Sequence, residues 1–392
     1  MKLRTCARLL LAVTPLLAGC GDFWQAPSTS TTGTTTTTLS SGYFYVINQA
    51  TSQIVAYDIS SGSLKQIGAY TLAAAPTALA VAPGNGYLYV SSIAGIYLYT
   101  IGSTGALTVG HSGQAISSDP ASAIQVDPSG NWLVDAVEGT SGVQVDATPI
   151  DSSTGLYTGG TVGTRQYSVG TASVHQMAIS SDDDNVFVAL GTGGTLVVPF
   201  TEANSNPLAS SGSVIPVETT GGAALSVAVD PSTTPRLLYI GETLAGSSGT
   251  SGGLRVFNYS SLSGTLTQAS GSPIATGGLA PNAILPIASG DYVYVGNGTG
   301  PTSAGNITGF SITEASSTYT IALGSTVAAG IQPYGLAEDS DANFVLAVSE
   351  GGSYDLEAYI FDTTTAGQLD LSITSTTGTD PTQAIGVAAT TP

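Results

Sequence analysis

From residue 42 onward apolar and polar positions alternate in short runs, and no stretch keeps a helical period. One unit recurs. A run of small apolar residues opens with Pro or another small residue and is followed by a turn and an aromatic-rich run. A third strand comes next, then a polar turn that often holds Gly, then a fourth strand. Pro76-Thr-Ala-Leu-Ala-Val81, Pro83-Gly84-Asn85-Gly86, Tyr87-Leu-Tyr-Val90, Ile96-Tyr-Leu-Tyr99 and Gly105-Ala-Leu107 show it in full. The first runs start at Pro76, Ala121, Val174, Ala224, Pro281, Pro333 and Pro381, a mean spacing near 51. Four short strands at that period predict an all-β fold, a β-propeller of four-stranded blades.

The two ends set the number of blades. Gly42-Tyr-Phe-Tyr-Val46 matches the second strand of the unit, and Pro381-Thr-Gln-Ala-Ile-Gly-Val387 matches only the first. The C-terminal strand is therefore expected to complete the blade begun by residues 42–75, giving seven blades over 42–392 with no open edge at the join. A β-helix has much shorter repeats, and two stacked sandwiches would not explain matched ends.

Residues 1–19 read as an export address. Lys2, Arg4 and Arg8 precede the apolar run Leu9 to Leu17, which is too short to span a bilayer, and Leu17-Ala18-Gly19-Cys20 follows. The segment resembles a bacterial lipoprotein signal peptide, which implies lipidation of Cys20. The alternative is an ordinary secretory signal with an incidental Cys. Gly21 in place of Asp implies, by the same resemblance, an outer-membrane address in the cell envelope. Ala26 to Ser41 is almost wholly Ser and Thr, so residues 20–41 are expected to be the lipidated Cys and a flexible tether. Cys6 and Cys20 are the two cysteines, so the propeller is expected to have no disulfide.

Charge narrows the partners. The net charge is −19, and beyond residue 20 four cations (Lys65, Arg165, Arg236, Arg255) face 26 acids. Nucleic acid is excluded, because phosphate neutralisation needs clustered Lys and Arg. Tight binding of phosphorylated substrates is disfavoured for the same reason. Charged residues make up 8% of the chain, and a surface of hydroxyls and amides suits an acid-tolerant envelope protein.

Tyr43-Phe-Tyr-Val46, Tyr87-Leu-Tyr-Val90, Leu238-Tyr-Ile240 and Tyr292-Val-Tyr-Val295 each follow a small-residue strand, and Ile54-Val-Ala-Tyr-Asp58 precedes Gly62-Ser-Leu64. In these residues the chain resembles the seven-bladed lactonase-like propellers of the 6-phosphogluconolactonase and YVTN type, across 42–392. Propellers of this shape gather ligands at one end of the central channel. The loops after the second strands bring Asn48, Asp135, Glu138, Asn297 and Glu350 to the expected ligand rim, together with Ser91, Gly191 and Glu242. Active relatives carry a Glu after a second strand, with Arg and His near first-strand starts. Glu242 in Leu238-Tyr-Ile-Gly-Glu242 matches the Glu, so Glu242 and His175 form the candidate catalytic pair, base and partner. The Arg and His do not carry over: Leu225 and Ser226 occupy that pair of positions, and the His-equivalent positions hold Ala78, Ala123, Gln176, Ala283, Gly335 and Gln383.

Three further strings read as structural. Asp339-Ser-Asp341-Ala-Asn343 with Glu350 has EF-hand spacing but Phe344 stands where the loop needs Gly. Asp182-Asp183-Asp184-Asn185 reads as a hairpin turn. Gly249-Thr-Ser251-Gly-Gly253 matches a nucleophile elbow in letters only, since no helix follows. No metal site and no cofactor are expected. The favoured function is an envelope lipoprotein whose rim acts as a binding scaffold for a glycan, a protein loop or a small lactone. The alternatives are a divergent lactonase acting on a sugar lactone, and a purely structural surface protein.

Overall fold

The computed structural model describes residues 42–391, apart from 60–62, 160–161, 171, 233–235, 247–248, 261–264, 316–317 and 379–381. The expected signal peptide, Cys20 and the 20–41 tether lie outside the described residues. Among the described residues every element is a strand except one 3-10 turn at His111–Gly113, and no helix is long and apolar enough to cross a membrane.

Seven antiparallel blades follow one another. The second begins with Pro76–Val81, the third with Ala123–Val126, the fourth with Gln176–Ile179, the fifth with Ala224–Val229 and the sixth with Ala280–Pro286. The expected starts at Pro76 and Ala224 coincide with these, and those at Ala121, Val174 and Pro281 fall one or two residues away. Ala384–Ala389 pairs with Tyr43–Asn48 in the register Phe44↔Ala389 to Asn48↔Ala384, so the first and last strands share one sheet. The first strands contact one another in order around the axis, and Ala384–Ala389 touches both Pro76–Val81 and the 318–338 strand.

One boundary differs from expectation. The fourth strand of blade six and the first of blade seven are a single strand, Thr318–Glu338, so both blades merge into one seven-stranded sheet. No turn separates Val327-Ala-Ala-Gly-Ile331 from Pro333, and the chain changes blades at Gln332, whose φ is +53°.

Second strands run apolar on both faces because a neighbouring blade covers each. Tyr87–Ser92, Asn185–Ala189 and Leu237–Glu242 are buried along almost their whole length. First strands use Ala, Ser and Gly because seven of them converge on the axis. Outer strands such as Lys65–Thr71 are largely exposed.

Polar groups on the inner strands are met by the adjoining blade. Gln49 Nε2 donates to Pro76 O (2.9 Å), Thr77 Oγ1 to Ala121 O (2.7 Å) and Ser226 Oγ to Pro281 O (2.7 Å). Gln125 Oε1 accepts from Ile179 N and Gln176 Oε1 from Val227 N, each at 3.0 Å. Asn282 Nδ2 donates to Gln332 Oε1 (2.8 Å), and Gln383 N to Glu350 O (2.7 Å). These bonds link every blade to the next around the axis.

Candidate functional site

A cavity of about 390 Å³ lies on the axis, lined by the first strands of all seven blades. That is within the size range of small-ligand sites. Its shape depends on a recurring irregularity. Pro76 and Ala78 pair with Ser92 and Ser91, which leaves Thr77 unmatched. The same skip leaves Leu225, Asn282, Tyr334 and Ile385 unmatched in their blades. A β-bulge re-aims the extra residue, and all five line the cavity. His175, just before Gln176–Ile179, holds the matching place in blade four.

The lining residues include no Asp, Glu, Lys or Arg. Its polar groups are Thr77, Ser122, Gln125, Gln176, Asn282, Tyr334 and His175. His175 is held by its own N–H to Ala189 O (3.0 Å), and its ring stands over Gly191. A Cβ on Gly191 would meet His175 Nε2 at 3.1 Å, and the φ of +56° there favours Gly. His175 is solvent-exposed at the cavity, yet the walls around it partly desolvate its ring and lower its pKa from 6.5, and the Glu138 carboxylate opposes this less strongly. The imidazole is therefore neutral at pH 7, and Glu138 is fixed beside it by Val174 N on Oε1 (2.9 Å).

The structure does not pair Glu242 with His175. Glu242 is fully buried and does not line the cavity. Its Oε1 accepts from Arg255 Nη1 (2.8 Å) and its Oε2 from Glu218 N (2.8 Å). Arg255 also donates to Pro216 O (2.8 Å) and Gln268 Oε1 (2.9 Å) and pairs with Glu218 at 3.2 Å. The loops flanking blade five cover the end of its second strand, so the position that reads as rim is interior.

The expected rim divides in the same way. Glu138 and Glu350 are exposed, and Glu350 borders a second cavity of about 320 Å³ with Pro301, Thr382 and Gln383. Asn48, Asp135 and Asn297 are fully buried. Asn48 donates to Thr382 O (2.8 Å) and accepts from Thr51 N (3.0 Å), while Asn297 donates to Thr276 O (3.0 Å) and Asn306 Oδ1 (2.9 Å). These amides brace loops. Asp135 faces the interface with blade two, where burial, then Asp146 and Asp119, raise its pKa well above the usual carboxylate range.

Asn282, Tyr334 and Thr77 were not among the expected site residues. Their signal was one position away: each directly precedes a His-equivalent position, at Ala283, Gly335 and Ala78. The other strings are structural in form. Asp339 Oδ1 accepts from Asn343 N (2.7 Å) and Phe344 N (2.6 Å), closing a turn, and Phe344 then opens a strand. Asp183 sits in a turn at φ +58°, beside Asp127 and Glu202. Gly253 opens a strand, Gly253–Ser260.

A seven-bladed propeller with a neutral, hydrogen-bonding cavity on its axis is thus in place. The chain belongs to the family described as Lactonase, 7-bladed beta-propeller, which it matches over residues 32–385. Among solved structures it is similar to the periplasmic gluconolactonase PpgL of Pseudomonas aeruginosa, at 18% identity and TM-score 0.67, covering 90% of this chain and 99% of that one. It is also similar to a protein of Bacteroides uniformis ATCC 8492 provisionally named a 6-phosphogluconolactonase, at 16% identity and TM-score 0.66, covering 89% and 99%. A Lactobacillus plantarum protein matches at 18% identity and TM-score 0.64, covering 89% and 99%. Comparison with curated proteins gives no match.

Proposed function

We propose that the protein hydrolyses the ring ester of a sugar lactone in the axial cavity, with His175 as base. The observation that carries this reading is a neutral imidazole in a cavity ringed by hydroxyl and amide side chains. Family membership supports catalysis over the scaffold expected from the missing Arg and His.

Lactone hydrolysis needs a group to take a proton from water and donors for the oxygen that becomes negative. His175 takes the water proton as the hydroxyl adds to the lactone carbonyl. Asn282 and Gln176 amides supply N–H groups to the developing oxyanion. The ring C–O bond then breaks, and the imidazolium returns its proton to the departing ring oxygen, leaving a hydroxy acid. The polar wall suits a polyhydroxylated substrate. A phosphate would find no cation among the lining residues. Arg236 and Arg255 are engaged in ion pairs, and Arg165 donates to Leu208 O.

The test is acid release by the purified protein from gluconolactone and from its 6-phosphate, beside His175→Gln. The expected result is turnover of the neutral lactone above the spontaneous rate, slower turnover of the phosphate, and a loss of about 100-fold or more in the variant. Binding without turnover would return the propeller to the scaffold reading. The sequence reading adds an address to this proposal: the enzyme is tethered to the cell envelope, probed by acyl labelling lost in Cys20→Ser.

A further inference from the structure

Between blades two and three, away from the axial cavity, three carboxylates converge. Asp135 on Trp132–Gly139 and Asp146 on Gly142–Pro149 are direct cross-strand partners. Asp119 comes from the linker between the blades. One carboxylate oxygen of each lies within 4.8 Å of the others. Asp135 and Asp146 are 0% and 2% exposed. Like charges directly opposite on adjacent strands repel, and a buried carboxylate needs partners.

Several of those partners are missing. Among the described residues neither oxygen of Asp135 has a hydrogen-bond partner, and Oδ1 of Asp146 has none. Asp146 Oδ2 accepts from Gln144 Nε2 (2.6 Å), and Asp119 Oδ2 accepts from Ser117 Oγ. Both Asp135 oxygens lack a partner, so the one that belongs to the cluster is an unpartnered, fully buried carboxylate oxygen, on the strand face that Asp135 shares with Leu133 and Val137 of the core.

We infer that Asp119, Asp135 and Asp146 form a binding site for one calcium ion that pins the linker between blades two and three to blade three. All the donors are hard oxygens, which selects against soft-metal chemistry. A Ca²⁺ ion with ligands at 2.3–2.6 Å spans oxygens within 4.8 Å of one another and accepts irregular carboxylate geometry, whereas Mg²⁺ demands near-ideal octahedral geometry and keeps its waters. Asp119 is the half-exposed ligand and gives the ion its way in. Its linker already lies along blade two, with Ile116 N on Ile96 O (2.8 Å) and Ile96 bridged to Ser117. The ion adds the bond to blade three. The site is independent of the proposed lactone chemistry.

The test is calorimetric titration of the purified, EDTA-treated protein with CaCl₂ and with MgCl₂, paired with melting curves. The expected result is one Ca²⁺ per chain, weaker Mg²⁺ binding, and a melting temperature raised by Ca²⁺. Asp135→Asn abolishes both effects, and Asp119→Asn, at the accessible edge, weakens binding roughly tenfold or more by removing a ligand charge. Asp183→Asn, in the separate Asp127/Asp183/Glu202 group, leaves binding unchanged. No Ca²⁺ binding at millimolar concentration overturns the assignment. Wild-type affinity in Asp119→Asn, or loss of binding in Asp183→Asn, overturns it as well.

Discussion

The hydroxyl of Tyr89 donates to the carbonyl of Gly155 across 2.7 Å, tying the second strand of blade two to a turn of blade three. Tyr45 makes the same bond to Gly105 and Tyr294 to Gly367, each at 3.0 Å. The first tyrosine of each Tyr-x-Tyr pair packs on the same glycine: a Cβ on Gly105, Gly155 or Gly367 would lie within 2.7 Å of the Tyr43, Tyr87 or Tyr292 ring. The aromatic motif thus acts between blades, each pair gripping a turn of the next blade about 60 to 73 residues on.

Gly155→Ala, at φ +69° and under the Tyr87 ring, should lower stability by about 1–3 kcal/mol. Tyr89→Phe, which loses one buried hydrogen bond, should lower it by about 1 kcal/mol. Urea unfolding midpoints measure both. A Gly155→Ala protein as stable as wild type would show that the grip contributes nothing.

Arg255→Met leaves the Glu242 carboxylate buried without its cation and should destabilise the fold by about 3–5 kcal/mol. Glu242→Gln should lower the melting temperature yet keep lactone turnover per folded molecule at 20 °C. If Glu242→Gln instead loses turnover as fully as His175→Gln with an unchanged melt, the carboxylate belongs to the reaction.

Neutral His175 is the working form, and partial desolvation at the cavity wall lowers its pKa from 6.5. Enzymatic kcat/KM, corrected for spontaneous hydrolysis, should rise with pH through a midpoint below 6.5 and be level from pH 7 to 8. An acid limb centred above 6.5 would assign the base to another group. Gly191→Ala should lower kcat by pushing the imidazole from its place.

Stability should favour the acid side of neutrality. Burial, then Asp127, Glu202 and Asp182, raise the Asp183 pKa from 3.8 to about 7. The folded state therefore holds a proton the unfolded chain gives up, and that stabilisation is complete below about pH 3.8 and fades as pH rises through about 7. Burial raises the Glu242 and Asp339 pKa values in the same sense. In EDTA the melting temperature at pH 5 should exceed that at pH 8, and Asp183→Asn should narrow the gap. A melt that climbs from pH 5 to pH 8 would contradict this.

The repeat was legible along the chain because strand alternation, turn residues and the Tyr-x-Tyr pairs are local signals that recur at a fixed period. They carried the blade count and the fold class, and Pro76 and Ala224 mark strand starts to the residue. The axial site was legible only to within one position. A bulge inserts a residue without disturbing the apolar pattern around it, so Thr77, Asn282 and Tyr334 turn to the axis while their neighbours read as the site. Glu242 and Asp135 follow a different rule. Alternation assigns a side chain to a face of its strand, but in a propeller the next blade covers that face. Whether a carboxylate there meets Arg255, meets other carboxylates or meets water depends on residues 11 or more positions away in the chain. A flanking loop closing over Glu242 beside Arg255, and a strand partner and linker meeting Asp135, made one an ion pair and the other part of a cluster.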